Sequence, residues 1–262
     1  MSESRLNFSS QGDGRSVVLL HGFPFDSRVW SEQMAALSRI AHVVALDLPG
    51  FGKSPAVPAT IEPSMDEYAK SIASTAGNLR LGKIVLVGHS MSGYIALAFA
   101  RRYPEMLAGL VLVTTKPAAD SKKAREGRKS LAAKVREIGA AATVSAMGAK
   151  LVAAATNERD PRILDRAKEI MLDQSIEGIV AALSAMARRP SSTSSLGNIR
   201  VPTLVIRGEE DALMPTRSVN SLARGIPRAR LEVMRSVGHL PMIETPDQFN
   251  TALQSFLTKI QP

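Results

Sequence analysis

The strongest chemical feature of the sequence is Ser90, within the segment Gly88-His89-Ser90-Met91-Ser92-Gly93. An apolar run precedes this segment at 84–87, and a helix-like stretch follows it at 91–102. A serine on a tight strand-to-helix turn exposes its hydroxyl above the sheet, at the positive end of the helix, where it can act as a nucleophile. Crowding in such a turn favours glycine two residues after the nucleophile, and here that residue is Ser92. Despite this departure, the pattern predicts a nucleophilic Ser90.

A serine nucleophile needs a base and an acid that orients the base. On scaffolds with this turn, the acid and then the histidine follow the serine along the chain. Of the four histidines, only His239 lies downstream of Ser90, in a loop after an apolar run. The acid candidates lie in Gly208-Glu209-Glu210-Asp211, where Asp211 is favoured because the turn continues from it into a helix. We therefore predict that Ser90, Asp211 and His239 are the catalytic residues.

Apolar runs and helix-like stretches alternate along the chain. The strand-like runs lie at 17–20, 43–46, 84–87, 110–113, 203–206 and 231–234, with a weak first strand around 5–9. Helices are expected near 65–79, 91–102, 216–224 and 246–259, the last starting at Thr245-Pro246. Most of the runs are continuous and β-branched, which is typical of strands buried on both faces. The predicted fold class is α/β, with a mostly parallel central sheet of about seven strands flanked by helices.

The stretch from 116 to 200 interrupts this alternation. It contains no strand-like run and predicts several helices, one beginning at Asp160-Pro161 and one capped by Ser175. A polar link at 191–195 leads back to the strand at Thr203. We predict one core domain, residues 1–115 and 201–262, with residues 116–200 inserted as a helical lid. An independent second domain is the alternative.

Composition narrows the functional classes. Apolar residues make up 45% of the chain and charged residues 22%, as in soluble globular proteins. No uncharged apolar run is long enough to span a membrane, and the first residues lack the pattern of a secretion signal, so a cytoplasmic location is expected. With no cysteine, the chain has no disulfide framework, thiolate nucleophile or cysteine metal site.

The net charge of +9 is concentrated in residues 116–200, which hold 16 basic and 9 acidic residues. These residues alternate with alanines and acids and do not cluster with aromatics, so we expect them to solvate helix faces. Nucleic-acid binding is not expected, and an anionic ligand is the alternative. The segment Gly52-Lys53-Ser54 is not a phosphate loop, because the glycine required five positions earlier is Asp47.

Several motifs together resemble the α/β-hydrolase fold superfamily, especially its esterases, lactonases and cofactor-free haloperoxidase-like members. They are His21-Gly22-Phe23-Pro24, residues 47–54, the Ser90 turn, residues 208–211 and Gly238-His239. The resemblance covers essentially the whole chain. It implies that the backbone N–H groups of Phe23 and Met91 form an oxyanion hole, and that His21 braces its loop. It implies no metal and no organic cofactor.

The expected reaction is hydrolysis of a small carboxylic ester or lactone through an acyl-enzyme, with perhydrolysis as a side activity. Phe25, Trp30, Leu213 and Met214 are expected to line the substrate pocket, with core packing as the alternative for each. Two other functions fit the same motifs. The three residues could instead serve C–C hydrolysis, lyase or cofactor-free oxygenase chemistry. A non-catalytic small-molecule sensor of this fold is the second alternative.

Overall fold

Seven strands form one sheet in the computed structural model, which describes residues 6–56, 58 and 60–260. In chain order they are β1 (Phe8–Gln11), β2 (Ser16–Leu20), β3 (His42–Leu46), β4 (Ile84–His89), β5 (Leu107–Val113), β6 (Thr203–Gly208) and β7 (Ala229–Met234). Across the sheet the order is β1-β3-β2-β4-β5-β6-β7. Only β1 runs antiparallel to its neighbour; all other pairs are parallel. The predicted mostly parallel α/β sheet is confirmed.

Eleven α-helices accompany the sheet in the described residues. They are α1 (Ser31–Leu37), α2 (Met65–Asn78), α3 (Met91–Arg102), α4 (Lys122–Ile138), α5 (Ala141–Met147), α6 (Ala154–Arg159), α7 (Arg162–Leu172), α8 (Ile176–Arg188), α9 (Thr216–Gly225), α10 (Pro241–Glu244) and α11 (Pro246–Leu257). The four helices predicted outside residues 116–200 correspond to α2, α3, α9 and α11.

The continuous apolar strands contribute side chains to the apolar layers on both faces of the sheet. Because successive side chains of a strand point to opposite faces, one run such as that of β2 contributes to two layers. Val18 and Leu20 pack in the apolar layer that includes α2 and α3, whereas Val17 and Leu19 pack in the layer that includes α1 and α11. All five residues of β2 and all six of β4 are buried. This burial on both faces explains why these strands could be recognised without an alternating pattern.

Two elements at one side of the sheet differ from expectation. The first strand is Phe8–Gln11, not 5–9, and residue 5 lies outside the described residues. Phe8 is the only residue of β1 that is not exposed. Few apolar contacts therefore hold this edge strand, and its backbone pairing with β3 keeps it in the sheet. Helix α1 was not predicted, since only Gln33 and Leu37 of its residues are buried and they form no apolar stripe.

Helices α4 to α8 lie between β5 and β6, where residues 116–200 were expected to be helical. The Ser175 hydroxyl caps α8 by accepting a hydrogen bond from the Gly178 N–H at 3.0 Å. Helix α7 follows Asp160-Pro161, as predicted. Across the described ranges, no single helix is long and apolar enough to cross a membrane. Helices α7 and α8 meet that criterion only as a pair, by length and composition alone, and the pair is bent by 97°.

The carboxyl ends of β4, β6 and β7 meet at one edge of the sheet. β4 is the central strand, and pairing continues from it through β5 and β6 to β7 up to the last residues of each strand, such as Gly208 with Met234. Loops that follow parallel strands are where open α/β sheets place their ligand sites. Ser90, Asp211 and His239 all lie in these loops.

Candidate active site

Ser90 lies at the sharp turn between β4 and α3. Its backbone is in an unusual conformation, with φ 52° and ψ −109°, which costs on the order of 1–3 kcal/mol for a residue with a side chain. The Ser90 N–H donates to the carbonyl of Val113 on β5 at 2.8 Å, so the neighbouring strand holds the turn in place. A β-carbon at Gly88 would lie only 2.4 Å from the carbonyl oxygen of Ser92, which is why glycine is required there.

The structure brings the three predicted catalytic residues together. The Ser90 Oγ lies 2.9 Å from Nε2 of His239, and Nδ1 of His239 lies 2.9 Å from Oδ2 of Asp211. The side chains of His239 and Asp211 are 1% and 3% exposed. With the Nδ1 proton donated to the carboxylate, Nε2 is free to accept the serine proton. These distances are the ones that the predicted nucleophile, base and orienting acid require.

Asp211 is itself fixed by its own turn. Its Oδ1 accepts the N–H groups of Leu213 at 2.8 Å and Met214 at 3.0 Å, which leaves Oδ2 for the histidine. The neighbouring Glu209 and Glu210 are exposed, as expected for residues that solvate the turn. The carboxylate is therefore held in one orientation by local backbone donors.

The loop that carries His239 is tied to the sheet through the carbonyl group of that residue. This carbonyl accepts a hydrogen bond from Nε2 of His89 at 2.9 Å and another from the Thr114 hydroxyl at 3.2 Å. Burial, followed by the proximity of His239, holds the pKa of His89 well below its ordinary value of 6.5. His89 is therefore a neutral donor that positions the loop. Its role was not predicted from the sequence.

Glu244 holds the same loop from the other side, and the sequence analysis missed it. Its buried carboxylate accepts the N–H groups of Gly238 and Leu240, the two neighbours of His239, at 2.9 and 3.1 Å. It also accepts the Ala153 N–H at 2.9 Å and the Thr156 hydroxyl at 2.8 Å, from α6 and the residue before it. No motif pointed to Glu244, because an acid at the end of a four-residue helix has no distinctive spacing.

The departure at Ser92 has a structural reason. The Ser92 hydroxyl donates to the carbonyl of His21, so the first turn of α3 is bonded to the loop 21–24. His21 in turn donates from Nδ1 to the Gly22 carbonyl and accepts the Leu48 N–H at Nε2, both at 2.9 Å. Burial lowers the pKa of His21, which keeps the ring neutral as these two bonds require. The structure thus places His21 as a brace of this loop.

The two expected oxyanion donors lie beside the nucleophile. Met91 is the first residue of α3, so its N–H has no acceptor within the helix. Phe23 lines the same cavity as Ser90 and His239. Among the hydrogen bonds of the described residues, none is donated by the backbone N–H of either residue. Neither amide therefore has an acceptor among the described residues, as the expected oxyanion donors require.

A cavity of about 260 Å³ opens beside Ser90 and His239, between the sheet edge and helices α4, α5 and α8. Its lining is mainly apolar, and it comprises Phe23, Ser90, Tyr94, Ala124, Gly127, Arg128, Leu131, Ala146, Met147, Leu183, Met186, Leu213, Met214 and His239. Leu213 and Met214, expected as pocket residues, are in this set. The size suits a small molecule.

The expectation that Phe25 and Trp30 line this pocket is wrong. Both side chains are fully buried in the apolar layer that includes α1 and α11. The Trp30 ring packs against Phe249 of α11, with 6.0 Å between ring centroids. The sequence showed that these residues are apolar and near the loop, but it did not show which face of the sheet they cover.

No group of three or more histidine, aspartate and glutamate side chains that could hold a metal ion occurs in the described part of the chain.

Comparison with known proteins identifies the family of the chain. The sequence model of the alpha/beta hydrolase fold family matches residues 15–246. The chain belongs to the alpha/beta hydrolase fold family. This alpha/beta hydrolase is similar in structure to an esterase from Thermogutta terrifontis, with a TM-score of 0.94 and 37% identity over 98% of this chain and 94% of that one.

Other relatives carry different activities. A 2-hydroxy-6-oxononadienedioate/2-hydroxy-6-oxononatrienedioate hydrolase from Burkholderia vietnamiensis is 30% identical and covers 98% of this chain and 92% of its own length. An enol-lactonase from Burkholderia xenovorans has a TM-score of 0.90 at 24% identity over 98% of both chains, a likeness of fold alone. Membership of the family thus establishes a hydrolase fold, and relatives that share it are named for different activities.

Proposed function

We propose that this alpha/beta hydrolase cleaves a carboxylic ester or lactone through an acyl-enzyme on Ser90. The observation that carries the proposal is the pair of 2.9 Å hydrogen bonds that joins Ser90 to His239 and His239 to Asp211 beside the cavity. A serine hydroxyl activated in this way attacks carbonyl carbon. The 37% identical relative named as an esterase supports the same reaction class.

In the first half-reaction, the Ser90 Oγ bonds to the carbonyl carbon while its proton passes to Nε2 of His239. The carbonyl oxygen becomes an oxyanion, which the N–H groups of Phe23 and Met91 stabilise; each such donor contributes about 3–4 kcal/mol. The bond to the leaving oxygen then breaks, and that oxygen takes the proton from His239. Asp211 stabilises the transient imidazolium by accepting the Nδ1 proton in a hydrogen bond.

In the second half-reaction, water replaces the alcohol. It loses a proton to Nε2 of His239 and attacks the acyl carbon, and the collapse of the second intermediate returns the proton to Ser90 and releases the acid. Residues 116–200 act as a lid in this proposal, because α4, α5 and α8 wall the cavity above the nucleophile. Such a cover limits the access of bulk water and selects small, partly apolar substrates.

The test is a series of 4-nitrophenyl esters of increasing acyl length, run with the wild type and with Ser90→Ala. We expect the variant to lose a factor of about a thousand or more in kcat. Ser38→Ala, which removes a hydroxyl in the loop after α1, is the matched control and should retain wild-type turnover. If the wild type turns over no ester or lactone, the proposal fails.

Hydrolysis of a C–C bond is the second candidate, because the 30% identical relative is named as a hydrolase of a dienedioate. The same serine, histidine and aspartate would serve that reaction. Incubation of the wild type with 2-hydroxy-6-oxononadienedioate, with the products separated by chromatography, distinguishes the two. Cleavage of that compound together with inactivity on esters and lactones would replace the first proposal with the second.

A further inference from the structure

The cavity wall formed by α3 and α4 carries a positive charge. Among the described residues that line the cavity, Arg128 is the one with a permanent charge, and none is an aspartate or glutamate. Tyr94 of α3 lines the same wall. A cation beside an otherwise apolar cavity is a feature that hydrolysis of a neutral ester does not require.

Arg128 belongs to a buried charge cluster in which cations outnumber acids. The side chain of Asp120 is fully buried and interacts with three cations: Arg128 Nε, Arg189 Nη2 at 2.9 Å and Lys116 Nζ at 3.5 Å. One carboxylate balances one of these three charges. The expectation that the basic residues of 116–200 solvate helix faces is therefore wrong for Arg189, whose side chain is 3% exposed.

Two positive charges are left uncompensated, and of the three cations only Arg128 lines the cavity. Both terminal nitrogens of Arg189 donate within the protein, to Met186, Ala118 and Asp120, and its guanidinium stacks 3.8 Å above the Tyr94 ring. In Arg128, Nε donates to Asp120, whereas neither terminal nitrogen is hydrogen-bonded within the described chain. With 22% of its side chain exposed, Arg128 presents two free donors where it lines the cavity.

The Tyr94 hydroxyl adds a third unused donor. The residue is 4% exposed, and no group of the described chain hydrogen-bonds to its hydroxyl. Burial raises the pKa of Tyr94, so the hydroxyl keeps its proton at neutral pH. A buried hydroxyl without a partner is unusual in a native protein, and a ligand is one way to satisfy it.

We propose that Arg128 and Tyr94 form a subsite for a carboxylate, so that the substrate is an ester or lactone that carries a second, ionised carboxyl group away from the bond that breaks. This proposal rests on the function proposed above, since Ser90 supplies the reacting centre. A carboxylate offers acceptors for the two terminal nitrogens of an arginine and for a hydroxyl. A neutral amide in its place offers one acceptor oxygen instead of two and carries no charge, which disfavours its binding.

Matched pairs of substrates test the proposal. Monoethyl succinate, glutarate and adipate each carry the free carboxylate, and the corresponding ω-amides have the same shape without the charge. For at least one chain length, we expect the wild type to prefer the acid over its amide by about tenfold or more in kcat/KM. Arg128→Gln should abolish this preference, Tyr94→Phe should reduce it, and Arg128→Lys should retain part of it.

Lys129→Gln is the control, since it removes the same charge from the next position of α4, where the side chain is 71% exposed. It should keep the wild-type preference. The midpoint of thermal unfolding of each variant shows whether the protein is still folded after the change near Asp120. Equal turnover of acids and amides at all three lengths, or a preference that survives in Arg128→Gln, would overturn the subsite while leaving the esterase proposal intact.

Calorimetric titration of Ser90→Ala separates binding from catalysis. We expect each preferred monoester to bind this variant more tightly than its amide, and the difference to vanish in Ser90→Ala/Arg128→Gln. If the wild type hydrolyses neither these compounds nor the 4-nitrophenyl esters, the proposed function fails and the titration alone decides the subsite. Equal binding of acid and amide would then overturn the subsite as well.

Discussion

At the scale of single residues, the geometry of the site depends on groups that hold the proposed catalytic side chains as much as on those side chains. Ser92 is an example, because its hydroxyl donates to the carbonyl of His21 in the loop that carries Phe23. Glycine at this position would fit the turn but would leave that buried carbonyl without this donor. Ser92 therefore connects α3, the helix that follows Ser90, to the loop expected to bind the oxyanion.

Ser92→Ala should destabilise the protein and slow catalysis. A buried carbonyl that loses its donor costs about 1–3 kcal/mol, and a less firmly held Phe23 amide should lower kcat more than it changes KM. Chemical unfolding and ester kinetics measure the two effects. Ser71→Ala is the control, since Ser71 donates to the Glu67 carbonyl within α2, away from the site. A Ser92→Ala protein with wild-type kcat would show that the bond does not position the loop.

At the scale of elements, the apolar strands and the proximity of Ser90, Asp211 and His239 could be predicted, and the supporting contacts could not. Strands such as β2 are continuous apolar runs because both their faces are buried, so the sequence itself marks them. The candidate base could be predicted as well, because His239 is the one histidine that follows Ser90 in the sequence. Phe25 and Trp30 were misplaced because apolarity does not encode which face of the sheet a residue covers.

Glu244 and Arg128 illustrate why the remainder of the site was missed. Glu244 bonds to the neighbours of His239 and to the start of α6, which lies some 90 residues earlier in the chain. Arg128 is one of many basic residues in an alternating stretch, and only the folded chain brings it to Asp120 and Tyr94. Such contacts depend on tertiary packing, so no local spacing in the sequence predicts them.

Glu244→Gln should weaken the link between the His239 loop and the helical segment. The carboxylate accepts from four donors, and an amide presents a donor of its own to at least one of them. We expect a loss of about 2–4 kcal/mol in the free energy of unfolding and a lower kcat. The control is Glu232→Gln on β7, at a side chain 38% exposed, which should change stability by less than about 0.5 kcal/mol. Equal effects of the two substitutions would contradict the role given to Glu244.

At the scale of the whole molecule, two histidines buried in the core make folding stability depend on pH. Burial lowers the pKa of both His21 and His89 below the ordinary value of 6.5. Below that value the unfolded chain takes up protons that the folded chain does not, so acidification favours unfolding. Two aspartates affect folding stability at lower pH. Burial alone would raise the pKa of Asp26 and of Asp120, but hydrogen bonds from arginines, and from Gln174 at Asp26, outweigh it and hold both below 3.8.

The two classes of group are therefore separated by pH. The stability that the aspartates contribute is lost only as the pH falls below about 3.8, whereas the histidines act from 6.5 downward. Each histidine that stays neutral should reduce the free energy of unfolding by about 1.4 kcal/mol per pH unit below 6.5, or about 2.7 kcal/mol for both. Urea unfolding between pH 7.5 and 5 measures this slope. A free energy of unfolding that stays constant over that range would show that His21 and His89 take up protons in the folded protein, and the hydrogen bonds that fix the His21 and His239 loops would then need a different description.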